Sequence, residues 1–315
     1  MLQSVAKAFF HVLAGSTTLK SIASRYGMRG EAGFARRFIA GESVPEAIAA
    51  ARRIQVSGLS VTLDYLGEAV ATAAEADAAS RAYLAIVEAI AEGGIERNIS
   101  LKLTQLGLTI DRATSVDNLR RILDAAAARQ FFVRIDMEDS PYTAVTLDIF
   151  ETVWQQGYRN VGVVLQSYLR RSEADAARMN ALGARVRLVK GAYKEPKDVA
   201  YQSKSEVDAS FVRIMQLLLA AGADPAIATH DPAMIEATRR FAGEHGVDPV
   251  RYEFQMLYGI RRDLQAALTR EGFRVRVYVP FGREWFPYFM RRLGERPANV
   301  GFVIRGLLSE RQSTA

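Results

Sequence analysis

Two adjacent arginines near the C-terminal end are the residues whose types and spacing most directly suggest chemistry. Arg291 and Arg292 lie in the stretch YFMRRLGE at residues 288–295, with Tyr288 before them and Glu295 after them. Counted from Tyr288, the two arginines and Glu295 follow after three, four and seven positions. On a helix this spacing puts the arginines on either side of the line from Tyr288 to Glu295. Each guanidinium matches a carboxylate through two parallel hydrogen bonds. The pair therefore predicts capture of a small carboxylate, and a solvent-exposed basic helix face is the alternative.

A second set of polar residues lies in or just after predicted strands. Charged groups inside apolar runs are costly to bury unless they are paired or face a cleft. Any one of them is explained equally well as a salt bridge at the rim of a sheet, but their recurrence in strand after strand favours a site. They are Asp64, Lys102, Gln105, Asp136, Glu138, Gln166, Arg187, Lys190, Tyr193, His230, Asp231, Gln255 and Tyr278.

The elements that must position these residues are short β-rich runs alternating with alanine-rich stretches of helical periodicity. This repeat predicts a parallel sheet, and eight units favour closure into a (β/α)₈ barrel, whose site lies at the C-terminal ends of the strands. An open, doubly wound sheet is the alternative, although no glycine-rich dinucleotide or P-loop motif follows a strand. The predicted strands cover residues 59–66, 99–106, 131–138, 161–168, 186–193, 226–231, 252–259 and 275–282.

The composition excludes several classes of site. The chain has 315 residues, no cysteine, and three histidines, at positions 11, 230 and 245. Disulfides, iron–sulfur clusters, zinc–thiolate sites and thiol nucleophiles are therefore excluded, and the scattered histidines do not predict a metal site. The net charge of +6 mildly favours anionic partners. No apolar run approaches the roughly 18 residues that a membrane-spanning helix needs.

The N-terminal region has no strand pattern. Residues 1–30 contain no acid, and their four basic residues with apolar residues at helical spacing resemble an organelle transit peptide. A pair of amphipathic helices packed on the domain is the favoured interpretation. We therefore predict an N-terminal helical extension over residues 1–50 and a barrel over residues 51–315.

Six motifs, taken together and in order, resemble the proline dehydrogenases, in particular the short, single-function bacterial enzymes. The resemblance covers roughly residues 55–305. It implies a distorted (β/α)₈, TIM-like barrel with extra N-terminal helices that binds FAD non-covalently. The motifs are LKLTQLGL, RIDMEDS, VRLVKGAY, ATHD, EFQMLYG and YVPFGREWFPYFMRRLGE.

The same resemblance implies a reaction and its partners. L-proline is oxidised to Δ1-pyrroline-5-carboxylate by hydride transfer to flavin N5, and the electrons pass to a membrane quinone. A separate pyrroline-5-carboxylate dehydrogenase then consumes the product. We expect a cytoplasmic protein, peripheral on the inner face of the bacterial membrane, with the mitochondrial matrix as the alternative location.

The resemblance also implies roles for individual residues. Lys102, Asp136 and Arg187 are the catalytic group, with Arg187 near flavin N5. Glu68 resembles an acid that pairs with the first arginine as a gate. The substrate-binding residues are Glu68, Lys102, Tyr193, Leu257, Tyr278, Tyr288, Arg291, Arg292 and Glu295. The cofactor-binding residues are Asp136, Gln166, Arg187, Val189, Lys190, Gly191, Ala192, Thr229, His230, Gln255, Met256 and Arg292.

Several questions stay open at this point. The amine proton of proline goes to Asp136, Lys102 or water. Gly191 allows either close approach of the flavin ring or a turn at the strand end. Asp231 stands where many longer relatives have asparagine, so that cofactor contact differs. The surface that meets a membrane is either within residues 1–40 or on the helix carrying Trp285, Phe286 and Phe289.

Other functions are less favoured by the residues. Another flavin barrel, such as a relative of methylenetetrahydrofolate reductase, does not need two arginines on a small carboxylate. A nucleic-acid binder needs a basic recognition motif that this chain lacks. A catalytically silent scaffold does not need charged strand ends, which lower stability when nothing pairs with them.

Overall fold

The computed structural model describes residue 28 and residues 33–67 and 69–295, in which eight parallel strands form a closed barrel. The strands pair in chain order, and β1 pairs with β8, with Thr62 opposite Tyr278. Closure confirms the barrel and excludes the open sheet. The strands are β1 (Ser60–Tyr65), β2 (Asn98–Leu101), β3 (Phe132–Ile135), β4 (Val161–Gln166), β5 (Arg185–Val189), β6 (Ala226–Ala228), β7 (Glu253–Leu257) and β8 (Val275–Phe281).

Helices surround the barrel and begin where the sequence supplies caps. Ser203 and Glu206 form a capping box at one helix start, and Thr72 and Glu75 form another. The described helices are α1 (Val44–Val56), α2 (Ala73–Gly93), α3 (Arg112–Ala128), α4 (Ser140–Gln155), α5 (Ser172–Ala181), α6 (Lys204–Ala221), α7 (Pro232–Glu244), α8 (Arg262–Arg270) and α9 (Trp285–Glu295). Short 3₁₀ turns lie at Phe34–Arg37, Thr104–Leu106 and Pro249–Arg251.

The strands are shorter than the sequence predicts, most clearly at β2. The prediction of a strand over 99–106 is wrong beyond Leu101, because Thr104–Leu106 forms a 3₁₀ turn. The carboxylate of Glu138 accepts hydrogen bonds from the amide and hydroxyl of Thr104 and fixes this turn. Lys102 and Gln105, which the pattern assigned to this strand, therefore lie in the loop that follows it.

The barrel interior is ionic, whereas aliphatic layers fill most barrels of this type. Arg276 on β8 pairs with Glu253 on β7 through two bonds of 2.8 and 3.0 Å, and with Glu96 at 2.6 Å. Arg187 on β5 bonds to Ser100 on β2 at 3.1 Å. Because β5 and β2 are not neighbours, this last bond crosses the interior. The apolar side chains of the strands pack instead against the helices.

The start of the described chain packs against α9. The rings of Phe38 and Phe289 lie 6.2 Å apart, and the Trp285 indole donates to Glu42 at 2.9 Å. Trp285, Phe286 and Phe289 are all buried. The prediction that these three rings could meet a membrane is therefore wrong, because they form the contact between two parts of the fold.

Two predictions about the N-terminal region stay untested. Helix α1 runs through residue 50, where we predicted the boundary between extension and barrel. Residues 1–27 and 29–32 lie outside the described part, as does most of the alternative membrane surface within residues 1–40. In the part of the chain that is described, no helix is both long and apolar enough to span a membrane.

Candidate active site

A cavity of about 600 Å³ opens at the C-terminal ends of the strands. Residues in or just after β2 to β8 and residues of α9 line it, so it lies where a barrel enzyme has its site. The lining residues are Lys102, Asp136, Met137, Val164, Gln166, Arg187, Val189, Lys190, Gly191, Ala192, Tyr193, Ala228, Thr229, His230, Asp231, Pro232, Gln255, Met256, Leu257, Tyr278, Tyr288, Arg291 and Arg292.

Every predicted site residue whose side chain is described lines this one cavity. Glu68 and the side chain of Glu295 lie outside the described residues. Three of the predicted polar strand-end residues, Asp64, Gln105 and Glu138, are buried and do not line it. The individual roles of the lining residues stay predictions.

Sequence reasoning missed four lining residues: Met137, Val164, Ala228 and Pro232. Val164 lies two positions before Gln166 on β4, so the period of two along a strand was a usable signal for it. Met137 and Ala228 lie where a strand ends, and Pro232 begins α7. At these positions no pattern distinguishes a cavity wall from ordinary core.

The carboxylate of Asp136 lies at the centre of the polar part of the cavity. It accepts a hydrogen bond from Arg187 at 2.7 Å and another from the Tyr278 hydroxyl at 2.8 Å. The Arg187 guanidinium lies 5.3 Å from the centre of the Tyr278 ring. Burial raises the pKa of Tyr278, and the charge of Asp136 raises it further. Tyr278 is therefore a hydrogen-bond donor at neutral pH.

Lys102 lies beside this group, with Asp64 behind it. The Lys102 ammonium is 3.3 and 3.4 Å from the two carboxylate oxygens of Asp64, which is completely buried. Burial alone lowers the pKa of Lys102, but the negative charges of Asp64 and Asp136 raise it above the ordinary lysine value. The cavity wall therefore carries a cation at neutral pH.

Gln166 and Gln255 present acceptors rather than donors to their surroundings. The Gln166 amide nitrogen donates to the carbonyl of Glu138 at 3.1 Å, and that of Gln255 donates to the carboxylate of Glu253. Although burial raises it, the charge of Arg276 and its hydrogen bonds hold the pKa of Glu253 at about 2. Neither acceptor can donate, so both amide orientations are determined. Among the described residues, both buried amide oxygens have no hydrogen-bond partner.

Four charged residues form a network at the cavity edge. Lys190 contacts the carboxylates of Asp208 and Asp231, the latter at 2.6 Å, and Lys204 contacts the same two carboxylates. Lys204 and Asp208 lie one turn apart on α6. Asp231, the residue that departs from longer relatives, therefore has a charge-pairing role here.

Gly191 has a conformational reason to be glycine. Its φ is +110°, and a Cβ there would lie 2.4 Å from the ring of Tyr168. These observations favour a turn at the strand end. Close approach to a flavin ring stays a prediction, although Gly191 does line the cavity.

His230 accepts a hydrogen bond through Nε2 from the amide of Leu257 at 2.9 Å. This bond places the ring proton on Nδ1 and ties the end of β6 to the end of β7. His230 therefore has a structural bond as well as a place on the cavity wall.

Helix α9 brings the arginine pair to the cavity wall. Tyr288, Arg291 and Arg292 all line it, and the Arg292 guanidinium lies 5.1 Å from the centre of the Tyr288 ring. Arg292 is buried, whereas Arg291 is partly exposed. Paired guanidiniums in a cavity that also holds Asp136 and Lys102 suit a small molecule carrying both a carboxylate and an amine.

Comparisons with known proteins give one family. Residues 47–305 match the family model described as proline dehydrogenase. Proline dehydrogenase 1 of Bacillus subtilis subsp. natto is 42% identical over 301 residues, which cover 96% of this chain and 98% of that protein. The proline dehydrogenase of Deinococcus radiodurans is 43% identical over 278 residues, which cover 87% of this chain and 90% of that protein.

Longer proteins match over part of their length. The bifunctional protein PutA of Escherichia coli is 30% identical over 313 residues, covering 85% of this chain and 24% of that protein. The crystal structure of PutA from Bdellovibrio bacteriovorus inactivated by N-propargylglycine matches with a TM-score of 0.78 at 28% identity, covering 83% of this chain and 32% of that chain. This chain thus spans less than a third of either protein. By its barrel, its cavity and these similarities, the chain belongs to the proline dehydrogenase family, which oxidises proline in its catabolism.

Proposed function

We propose that the enzyme oxidises L-proline to Δ1-pyrroline-5-carboxylate with non-covalently bound FAD, by hydride transfer to flavin N5. The observation that carries the proposal is the position of Arg291 and Arg292, which line the same cavity as Lys102, Asp136 and Arg187. When the two arginines hold the carboxylate of proline, the proline ring and its nitrogen face the other three side chains.

The substrate side of the proposal uses the aromatic and apolar walls. Arg291 and Arg292 bind the proline carboxylate, and Tyr193, Leu257, Tyr278 and Tyr288 enclose the ring. Each of the four lines the cavity. A closely fitting apolar wall holds a small ring in one orientation. The loss of rotational freedom then occurs on binding and no longer adds to the barrier of the reaction. Glu68 as a gate and Glu295 as a support for the arginines stay predictions.

The hydrogen-bonding and charged groups of the cavity wall suit FAD. The unpartnered amide oxygens of Gln166 and Gln255 can accept from a ring N–H, and Lys190 and Arg292 supply cations for an anionic cofactor. Val189, Gly191, Ala192, Thr229, His230 and Met256 complete the wall that we assign to the cofactor. The mostly apolar remainder excludes water from the reacting atoms.

When bound, FAD supplies the hydride acceptor, and the protein supplies orientation and charge. Asp136 and Ser100 hold the Arg187 guanidinium at 2.7 and 3.1 Å, so it is a fixed positive charge on the cavity wall. We expect this charge to favour the electron-rich reduced cofactor. The proline nitrogen must release a proton before hydride leaves, and three acceptors are considered: Asp136, Lys102 and water.

The electron acceptor in the proposal is a membrane quinone, and the enzyme works at the inner face of the bacterial membrane. The support is the family membership alone. We expect a separate pyrroline-5-carboxylate dehydrogenase to consume the product. The longer relatives described as bifunctional suggest this second step.

The test is an absorbance spectrum of the purified protein followed by anaerobic addition of L-proline. We expect flavin bands that bleach with proline, and we expect the double variant Arg291→Met, Arg292→Met, loaded with added FAD, to need at least about 100-fold more proline. Arg283→Met is the matched control, because Arg283 is an exposed arginine just before α9.

The possible results separate the parts of the proposal. A flavin that stays oxidised with proline would indicate a different substrate. A colourless protein that does not take up added FAD would contradict the cofactor. Equal proline dependence in the double variant and in Arg283→Met would remove the arginine pair from substrate binding.

A further inference from the structure

Asp64 is a buried carboxylate outside the cavity that contacts a residue inside it. It lies on β1, its side chain is 0% exposed, and its two oxygens are 3.3 and 3.4 Å from the Lys102 ammonium. Lys102 lines the cavity, whereas Asp64 does not. Asp64 can therefore influence the reaction through Lys102.

Several titratable groups face Lys102. Asp136 also contributes negative charge, but its oxygens accept from Arg187 and Tyr278 rather than from Lys102. In the described part of the chain, the carboxylate that accepts hydrogen bonds from Lys102 is that of Asp64. The groups whose charges act on Lys102 are Asp64 on β1, Asp136 at the end of β3, Glu138 in the following loop and Tyr193 after β5.

A buried lysine without a bonded carboxylate readily loses its proton, because a low-dielectric environment disfavours the charged form. Lys102 is only 9% exposed, so this cost applies to it. The contact with Asp64 offsets the cost and also determines where the ammonium lies. Without this contact, Lys102 would change both its charge and its position.

We propose that Asp64 is a positioning residue for proline oxidation, which holds Lys102 as an ammonium group at the cavity wall. Lys102 then acts as a cation and hydrogen-bond donor toward the substrate and does not accept the amine proton. This inference rests on the proposed function and excludes one of its three proton acceptors. The negative charge of Asp64 raises the pKa of Lys102, in agreement with this assignment. Burial raises the pKa of Asp64 and the charge of Lys102 lowers it, so each group favours the charged form of the other, and the contact of 3.3 Å carries the assignment.

The first test reads the charge of Lys102 directly. We suggest ¹⁵N NMR of the full-length FAD-bound protein labelled at its lysine side chains, titrated from about pH 6 to about pH 11. Lys102→Met identifies the Lys102 signal by its loss. We expect an ammonium signal across this range in the wild type, and in Asp64→Asn a titration at a pH lower by about 1 to 3 units.

The second test is kinetic. In Asp64→Asn we expect kcat/KM for proline to fall by about 10- to 100-fold, with a new alkaline decline at the pH where Lys102 loses its proton. Thr62→Val is the control, since Thr62 lies two residues earlier on β1, is equally buried and bonds to Ser100 rather than to Lys102. Adding Asp64→Asn to Lys102→Met should cause no further loss, because Asp64 acts through Lys102.

Three results would overturn the proposal. They are a neutral Lys102 in the wild type near pH 8, an unchanged Lys102 titration in Asp64→Asn, and additive losses in the double variant. The first needs no variant of Asp64, so the proposal stays testable even where Asp64→Asn does not fold. A wild type that fails to bleach with proline would contradict the proposed function, while the NMR titration would still report the charge of Lys102.

Discussion

Asp136 illustrates how one side chain can join three strands. Its carboxylate follows β3, accepts from Arg187 on β5 and from Tyr278 on β8, and lines the cavity. Arg187 is a charged donor and Tyr278 is a neutral one. Breaking the two contacts should therefore lower the free energy of unfolding by different amounts. A buried ion pair that loses one member leaves an uncompensated charge, whereas a lost neutral donor leaves a carboxylate that still has its arginine.

This difference gives a prediction at Asp136. We expect Tyr278→Phe to lower the free energy of unfolding by about 1 kcal/mol and Asp136→Asn to lower it by about 3 kcal/mol or more. Urea unfolding of both variants in the same buffer measures the two values. Equal losses would mean that Arg187 finds another counter-charge when Asp136 is neutral, and the described ion pair would not be its main support.

Helix α7 begins at a residue that also belongs to the cavity edge. Asp231 is the N-cap of α7, accepts from the amide of Ala233 at 3.1 Å, and pairs with Lys190 and Lys204. Despite its partial burial, which raises it, the hydrogen bonds from the two lysines hold the pKa of Asp231 at about 2. One carboxylate therefore performs a capping role and a charge-pairing role, and substitution can separate them.

Asparagine keeps the cap and removes the charge, whereas alanine removes both. We expect Asp231→Ala to lower the free energy of unfolding by about 1 kcal/mol more than Asp231→Asn, because asparagine is as good an N-cap as aspartate. Urea unfolding of the two variants without added FAD measures this difference. If both variants lose the same stability, the cap contributes nothing and the charge network accounts for the whole effect.

The ionic interior makes the stability of the entire barrel depend on pH. Glu253 lies between Arg276 and Arg274 and has its pKa lowered from 4.5 to about 2: burial raises it, but the charges of the two arginines and the hydrogen bonds from Arg276 and Gln255 together outweigh burial. A carboxyl whose folded pKa is below its unfolded value stabilises the fold above the unfolded pKa. That contribution is lost as the pH falls through the folded value.

We therefore expect the free energy of unfolding to decline as the pH falls from about 4.5 to about 2, with Glu253 responsible for about 3 kcal/mol of the decline. Urea unfolding at a series of pH values measures it. Glu253→Gln should be less stable near neutral pH and less dependent on pH in this range. Glu88→Gln, at a half-exposed partner of Arg129, is the control and should keep the full decline. An unchanged slope in Glu253→Gln would contradict the assignment.

Much of the fold and of the site could be predicted from local patterns. The alternation of strands and helices depends on the residue spacing within each segment, so it was readable without contacts. The edge where chemistry gathers was also readable, because the C-terminal ends of parallel strands must meet on one side of a barrel. Residues such as Lys190, His230 and Gln255 were therefore assigned to one site, and they do line one cavity.

Contacts between distant segments were beyond such reasoning. The hydrogen bond from Trp285 to Glu42, the bond from Arg187 to Ser100 and the position of Asp64 behind Lys102 each join residues far apart in the chain. Amphipathic spacing gives α9 an apolar face but does not say whether that face meets a membrane or the start of the chain.

For this protein, then, the order of residues determined the type of each element, the end of the barrel that carries the chemistry and the family. The folded chain decided which charges pair, which polar strand-end residues lie behind the cavity wall, and where each strand stops. The physical reason is that periodicity is a property of one segment, whereas the pairing and burial of a charge depend on every segment that closes around it.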